Sequence, residues 1–450
     1  MENKSINPQK RHVNYLNGAV IMTRLLMGLT FVFSGFVKAV DPLGSSYKFA
    51  DYLNVLGLDF LLPTTLFAAV VLAAFEFWLG VSLITGYRIK KSVILLILFM
   101  LFMTPLSLWI SISNPVSNCG CFGDAVKLTN WQTFYKNVLM SGLTVFLFIY
   151  RNKLTPLFSK HTQGLVSLYT LLFIVGVSWI SYEYLPILDF RPYKIGNNIT
   201  EMMSIPEGEQ TEQYENLFIY AKEGVEKEFT LENYPEGDSS WTFVRREDKL
   251  ISKGYVPPVN DFSIEWNGTD ITQEVLQDSS YTFLLVSPRL ENASDEEIDR
   301  INEIYDYCVK FGYGFYCLTA SAQTEIDEWS ADTGAEYPFA TTDEIPLKTM
   351  TRSNPGLVLL KKGTVVRKWP HSLLPATEMS DKPLDQTKWG KEDTLLSGTK
   401  GILFASIFII PLILLFLIER VIGWCVRMYR NRHNKKEELS TDNSETGEII

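Results

Sequence analysis

Residues that bind metals or build hydrolytic triads are scarce in this sequence. Its 450 residues include only four histidines and five cysteines. Cys119 and Cys121 are the closest cysteine pair, and two ligands separated by one residue do not complete a tetrahedral zinc site. No serine stands in a Gly-x-Ser-x-Gly setting, which disfavours the hydrolases that use this turn. We therefore expect no metal and no hydrolytic triad.

Excess positive charge is also lacking. The 41 lysines and arginines are outnumbered by 51 aspartates and glutamates, which gives a net charge of −10. This balance argues against nucleic acid as a partner. A cleavable signal peptide is missing as well, because the first apolar run is full length and no small-residue cleavage pattern follows it. We expect this run to remain as a membrane helix.

Long apolar runs are abundant by contrast, and they predict a multi-pass α-helical membrane bundle. A run of about 20 residues can cross roughly 30 Å of hydrocarbon, so each such run is a candidate span in a lipid bilayer. Six runs of this kind are found: Ala19–Val40, Pro63–Thr85, Ser92–Ser113, Trp131–Tyr150, Leu165–Tyr182 and Gly401–Val421.

Lysine and arginine lie at every second connection, which orients the six spans. They precede the first run, join the second to the third near Arg88 and the fourth to the fifth near Arg151, and follow the sixth run. Because cytoplasmic loops carry the excess of lysine and arginine, both termini are predicted to be cytoplasmic. The sequence therefore predicts a bacterial inner-membrane protein whose long acidic segment between the fifth and sixth spans is periplasmic.

This acidic segment changes character near residue 255. Before that point three strand-like runs stand among many Gly, Pro, Asn and Glu residues, and after it strands alternate with helices, as in an α/β domain. The predicted organisation is a cytoplasmic N-terminus (1–18), a four-helix membrane domain (19–160), a fifth span (165–185), a β-rich accessory segment (189–254), an exterior α/β domain (255–385), a sixth span (401–421) and a basic, then disordered, cytoplasmic tail (422–450).

The exterior loop 114–130 contains the compact group of reactive residues in the sequence. Asn114-Pro115 is predicted to end the third helix, and Thr129–Gln132 fits a capping box that begins the fourth. Glycines between these points allow the positive φ values that other residues resist. Three residues are expected to support the turn around the cysteines: Gly120, Gly123 and Asp124.

Cys119 and Cys121 are the candidate catalytic residues of this loop. Thiol–disulfide exchange needs an accessible thiolate and a second sulfur that resolves the mixed disulfide. A pair separated by one glycine supplies both sulfurs. Two alternatives are a fixed disulfide that staples the loop and two thiols that only pack it.

Ionisable residues also occur inside the apolar runs, where they are costly and therefore candidates for pairing or function. Arg24 in the first run and Glu76 in the second are predicted to lie at similar depth. They are interpreted as a buried ion pair. The alternatives are that Arg24 extends to the interface beside a neutral Glu76, or that the two residues take part in proton or quinone chemistry.

The first four spans carry a group of motifs that resembles a known family. These are Phe33–Lys38 with Asp41-Pro42, Glu76 followed by Leu79-Gly80, and Cys119–Asp124. They resemble the DoxX and MauE group of four-helix membrane proteins. That group is linked with quinone-dependent oxidation of sulfur compounds and with disulfide maturation of periplasmic enzymes. The resemblance implies redox work near the outer face, and a quinone as the cofactor.

The segment 257–369 is similar to a thioredoxin fold of the TlpA-like kind. Pro355, after Asn354, stands where that family carries its cis-proline. The family's Cys-x-x-Cys is replaced by Ser287–Leu290, and Cys308 and Cys317 are predicted to be buried apolar residues. The resemblance therefore implies a thioredoxin-like domain that is catalytically silent and serves to dock a client or partner.

Two functions follow from these features. The first is an enzyme of thiol–disulfide exchange that uses Cys119 and Cys121, with a membrane quinone as the candidate electron acceptor. The second is a non-catalytic envelope scaffold or assembly subunit that binds another membrane or secretion-system protein. Both functions require a periplasmic or membrane protein partner.

Overall fold

The computed structural model describes residues 8–116, 119–210, 213–222, 225–231, 233, 240–252, 254–375, 382–392 and 394–445. The chain divides into two compact units. The first consists of Met1–Arg191 with Thr394–Ile450, and the second of Pro192–Asp393.

The first unit is helical. Its helices are α1 (Pro8–Val40), α2 (Pro42–Val55), a 3₁₀ helix (Asp59–Thr64), α3 (Thr65–Thr85), α4 (Ile89–Ser113), α5 (Asn130–Ile149), a 3₁₀ turn (Arg151–Lys153), α6 (Lys160–Glu183) and the C-terminal helix (Thr394–Glu445). Helix α2 lies between the first two apolar runs, where the pattern of apolar residues predicts no span. Asp41 begins it, because its carboxylate accepts a hydrogen bond from the backbone N–H of Gly44, and Pro42 occupies the first turn.

Several of these helices have the length and composition of membrane spans. Among the described residues, five segments qualify: Leu16–Val40, Asp59–Thr85, Ile89–Ser113, Lys160–Glu183 and Gly398–His433. Helix α5 covers the predicted fourth run but is not among the five, and it contains polar residues such as Lys136 and Asn137. A bundle of several apolar helices is therefore confirmed, whereas the count of six spans stays a prediction.

Glycines bring α1 and α3 into close contact. A Cβ atom added at Gly35 would lie 2.4 Å from the backbone nitrogen of Phe77, and one added at Gly80 would lie 2.5 Å from the nitrogen of Val32. Small residues of this kind allow helix backbones to approach in membranes. The two helices run antiparallel, so the end of α1 lies beside the middle of α3.

The second unit contains two sheets. The smaller sheet is antiparallel, with β1 (Gln213–Lys222) between β2 (Val225–Phe229) and β3 (Thr242–Ser252). Its strands coincide with the three strand-like runs of the sequence. A short helix, α7 (Ile199–Met203), precedes it.

The larger sheet is mixed and has seven strands in the order β10-β9-β6-β7-β8-β4-β5. Strands β6, β7 and β8 are parallel, and the other pairs are antiparallel. The strands are β4 (Glu265–Trp266), β5 (Thr269–Asp270), β6 (Tyr281–Ser287), β7 (Gly314–Thr319), β8 (Phe339–Thr341), β9 (Gly356–Lys361) and β10 (Thr364–Pro370). The helices are α8 (Thr272–Gln277), α9 (Ile298–Phe311), α10 (Gln323–Thr333) and α11 (Glu344–Met350).

Both faces of this sheet are covered. Along β6, Phe283 and Leu285 belong to one core cluster, whereas Leu284 and Val286 belong to the other. A continuous apolar run is typical of a strand that is buried on both faces. The Asn354–Pro355 peptide before β9 is cis, as the resemblance implies.

Candidate functional site

The cysteine loop is held between two well-defined helix ends. Helix α4 ends at Ser113, followed by Asn114 with a φ of 46°. The predicted capping box at Thr129 is confirmed, because the Thr129 hydroxyl accepts from the Gln132 backbone and the Gln132 side chain accepts from the Thr129 backbone. Gly120 and Gly123 both have positive φ, 68° and 53°, and a 3.1 Å hydrogen bond from Gly123 N to Gly120 O closes the turn.

This turn brings the sulfurs of Cys119 and Cys121 together. The two Sγ atoms are 3.1 Å apart, both thiols are free, and both residues are half-buried. The thiol hydrogen bond from Cys119, with the charges of Lys136 and Lys38, lowers the pKa of Cys121 to about 6. The same hydrogen bond, together with burial, raises the pKa of Cys119. The pair is therefore one thiolate and one thiol near neutral pH.

The backbone at Cys121 is anchored to the bundle by Lys38. The Lys38 ammonium donates to the carbonyl of Cys121 at 2.6 Å, to Glu76 Oε2 at 2.7 Å and to Ser34 Oγ at 2.8 Å. Ser34 Oγ lies 2.7 Å from Glu76 Oε2 and 2.8 Å from the same carbonyl. An ammonium has three N–H donors, so this site uses all of them. Lys38 and Glu76 form a buried ion pair, with 7% and 5% of their side chains exposed.

The ion pair predicted between Arg24 and Glu76 is therefore wrong. Arg24 donates instead to the carbonyls of Leu83 (2.5 Å), Ile84 (2.8 Å) and Thr155 (2.8 Å). Leu83 is seven residues beyond Glu76, about 10 Å along the helix axis, so the two charged groups lie at different depths. Arg24 satisfies carbonyls at the end of α3 that have no helical partner.

A partly open pocket lies between the helices beside Cys121, and we call it the bundle pocket. The space between its walls, counted together with the open solvent at its mouth, is about 390 Å³. Its apolar lining comes from α1, α4, α5 and the cysteine loop and consists of Phe31, Phe99, Met100, Met103, Met140 and Phe122. Its polar lining includes Cys121, Glu76 and Lys136, whereas Cys119 is not part of it. An apolar pocket with a few convergent polar groups is typical of a small-molecule site.

Two polar residues of this site were missed in the sequence. Lys136, in the second turn of α5, places its ammonium 4.3 Å from the centroid of the Phe122 ring. Tyr52, on α2, donates a hydrogen bond to the carbonyl of Cys119 at 3.1 Å. Lys136 is an ionisable residue inside an apolar run, which was a usable signal. No sequence signal indicated Tyr52, because helix α2 was not predicted.

The other cysteines differ from this pair. Cys308 on α9 and Cys317 on β7 are buried, and burial raises the pKa of both thiols. Cys425 is exposed on the C-terminal helix. In the segment Ser287–Leu290, the Ser287 hydroxyl donates to the side-chain oxygen of Asn354 at 2.7 Å. No cluster of three or more His, Cys, Asp or Glu side chains with metal-binding geometry occurs among the described residues.

Comparisons with known proteins match parts of the chain. No curated protein matches. One solved structure, a putative protein disulfide isomerase from Bacteroides thetaiotaomicron, is 15% identical over 25% of this chain and 76% of that chain, with a TM-score of 0.22. Residues 214–253, which include most of the smaller sheet, match a domain of unknown function (DUF8463). Residues 16–150, which contain the cysteine loop and the Lys38–Glu76 pair, match the methylamine utilisation protein MauE family.

Proposed function

We propose that this protein is a membrane thiol–disulfide oxidoreductase whose reactive group is the Cys119–Cys121 pair. The observation that carries the proposal is the placement of the two sulfurs, which are 3.1 Å apart, with Cys121 lining the bundle pocket. The lowered pKa of Cys121 gives the pair a thiolate, which is the form that reacts with disulfides. The MauE match of the surrounding helices supports the same proposal.

The two sulfurs have different roles in the oxidising direction. A client thiolate attacks Cys119 Sγ in the disulfide form, the Cys119–Cys121 bond breaks, and Cys121 leaves as a thiolate. A thiol of lower pKa is the better leaving group, which favours this direction of attack. A second client thiol, as its thiolate, then attacks the mixed disulfide. The client disulfide forms, and Cys119 leaves and takes up a proton.

The reduced pair must pass its two electrons to an acceptor, and we propose a membrane quinone. A bound quinone would supply a two-electron, two-proton acceptor. The Cys119–Cys121 dithiol gives up two electrons and two protons, and the bond between the two sulfurs forms again. The aromatic and methionine lining of the bundle pocket suits an apolar ring. Cys121 lines this pocket and is therefore the sulfur that we place next to the quinone.

The location of the reaction is part of the proposal. We propose six spans with both termini in the cytoplasm, so that the cysteine loop lies on the periplasmic side of a bacterial inner membrane; the distribution of lysine and arginine supports this orientation. On that side oxidising conditions support disulfide chemistry. A thioredoxin-like second unit, whose own cysteines are buried, serves to dock the client or another partner protein.

Thiol trapping tests the proposal. Membranes with the full-length protein are treated with dithiothreitol or with decylubiquinone, quenched with acid and analysed by mass spectrometry of the Cys119–Cys121 peptide. We expect the pair to change between dithiol and disulfide, and Cys121→Ser to accumulate a mixed disulfide on Cys119. Cys425→Ser is the matched control and should behave as wild type. A pair that never changes state would support the scaffold function instead.

A further inference from the structure

Lys136 differs from the other lysine beside the cysteine loop. Lys38 has a carboxylate partner in Glu76. Lys136 lines the bundle pocket and contacts the face of Phe122, and within the described part of the chain no carboxylate forms an ion pair with it. A charged group in a membrane bundle is costly unless an opposite charge or several hydrogen bonds compensate it. The contact with an aromatic ring compensates only part of this cost.

The charged groups around Cys121 come from four helices and from its own loop. The groups that face it from the helices are Lys38 on α1, Glu76 on α3 and Lys136 on α5, and the thiol of Cys119 lies beside it. Tyr52 from α2 bonds to the neighbouring Cys119 backbone. The exposed Lys127 of the loop lines a second, smaller hollow with Cys121. Lys38 and Glu76 form an ion pair, so within the bundle pocket Lys136 is the cation that a Cys121 thiolate can balance.

We propose that Lys136 is the charge partner of Cys121, and that in the disulfide form its N–H donors turn to the bundle pocket and bind an oxygen of the electron acceptor. This inference rests on the proposed function. When the Cys119–Cys121 bond forms, the thiolate charge disappears and Lys136 loses its counter-ion. An acceptor whose carbonyl oxygen gains negative charge as electrons arrive replaces that counter-ion. A quinone has such an oxygen, so Lys136 favours both the loss of electrons by the sulfur and their arrival on the quinone.

The first test is the pH dependence of Cys121 alkylation. The full-length reduced protein in detergent is treated with iodoacetamide between pH 4 and 9, and single modification of Cys121 is counted by mass spectrometry. Lys136→Met should raise the midpoint by about one pH unit, which corresponds to roughly tenfold less thiolate below the midpoint. Lys136→Arg should keep the wild-type midpoint. Lys90→Met is the matched control, because Lys90 is an exposed lysine at the end of α4 that is opposite to the cysteine loop.

The second test measures reduction of decylubiquinone by the dithiol form. Lys136→Gln, which keeps N–H donors but removes the charge, should raise KM for the quinone more than it lowers kcat, and Lys136→Arg should restore KM. One result would overturn this inference and leave the proposed function intact: the wild-type protein cycles with decylubiquinone, and every Lys136 variant keeps the wild-type midpoint and KM. Wild-type protein that never cycles would instead refute the proposed function. If Lys136→Met does not fold, Lys136→Gln is used in both measurements.

Discussion

The two pairs of cysteines in this chain lie in contrasting surroundings. Cys119 and Cys121 are half-buried in a loop, their sulfurs touch, and hydrogen bonding and nearby cations lower the pKa of Cys121. Cys308 and Cys317 are 1% and 0% exposed within one core cluster of the second unit, where burial raises their pKa. The same side chain has a lowered pKa in one place and packs as a small apolar residue in the other.

The comparison teaches that the reactivity expected of a cysteine follows its local contacts. The sulfurs of the second unit pack against aromatic and aliphatic side chains. In the membrane unit, the loop supplies one thiol of lowered pKa, a second thiol and a neighbouring pocket. The following experiments test this difference, beginning with the largest expected effect.

Removing one sulfur from each pair should have very different effects on thiol oxidation. Cys121→Ser should lower the rate of client-peptide oxidation by about 1000-fold or more, because the loss of a group that acts in concert with a partner removes the whole pathway. Cys308→Ala should retain most of the rate. The rate is measured by fluorescence of a dithiol peptide with full-length protein in nanodiscs. Similar rates for the two variants would contradict the comparison.

Substitution of Glu76 should strongly destabilise the membrane unit. Glu76→Gln leaves the Lys38 ammonium buried without its counter-charge, which costs about 3–5 kcal/mol of unfolding free energy. Thermal unfolding in detergent measures the loss. In the double variant Lys38→Met/Glu76→Leu, part of the stability should return, because no unpaired charge remains. Simple additivity of Lys38→Met and Glu76→Leu, each also measured alone, would show that the pair is not coupled.

An added methyl group should change the free energy of unfolding differently at two glycines of the membrane unit. Gly35→Ala places its Cβ against the backbone of Phe77, so we expect a loss of about 1–3 kcal/mol as in an overpacked core. Gly142→Ala, with nothing within 4 Å, is the control and should be neutral or gain up to about 1 kcal/mol from helix propensity. Both values come from unfolding in detergent. A loss of thiol oxidation in Gly35→Ala alone would link this packing to the loop.

The pH dependence of alkylation should distinguish the pairs without any substitution. The pKa of Cys121 is lowered to about 6, so its thiolate is present above that pH and is lost as the pH falls through it. Its alkylation rate should therefore rise about tenfold per unit below pH 6 and level off above it. In the folded protein Cys308 and Cys317 should remain unlabelled up to pH 9, because burial raises their pKa. Labelling at equal rates would refute the distinction.

Much of the architecture could be predicted because it depends on local patterns. The capping box at Thr129, the positive φ of Gly120 and Gly123, and the order of strands after residue 281 all follow from short stretches of sequence. The partner of Glu76 could not be predicted in this way. The ends of the apolar runs predict similar depths for Arg24 and Glu76. The close glycine contacts between α1 and α3 instead determine which residues of the two helices lie side by side.

The Lys38 ammonium has a mechanical consequence for electron exchange. A loop between α4 and α5 without such an anchor would take many positions relative to the helix ends. Here the peptide carbonyl of Cys121 is bound to the same cation that neutralises Glu76 inside the helices. The peptide group of Cys121 is therefore fixed relative to the helices of the bundle. In the proposed reaction, a partner from water and a partner from lipid meet the two sulfurs at the same depth.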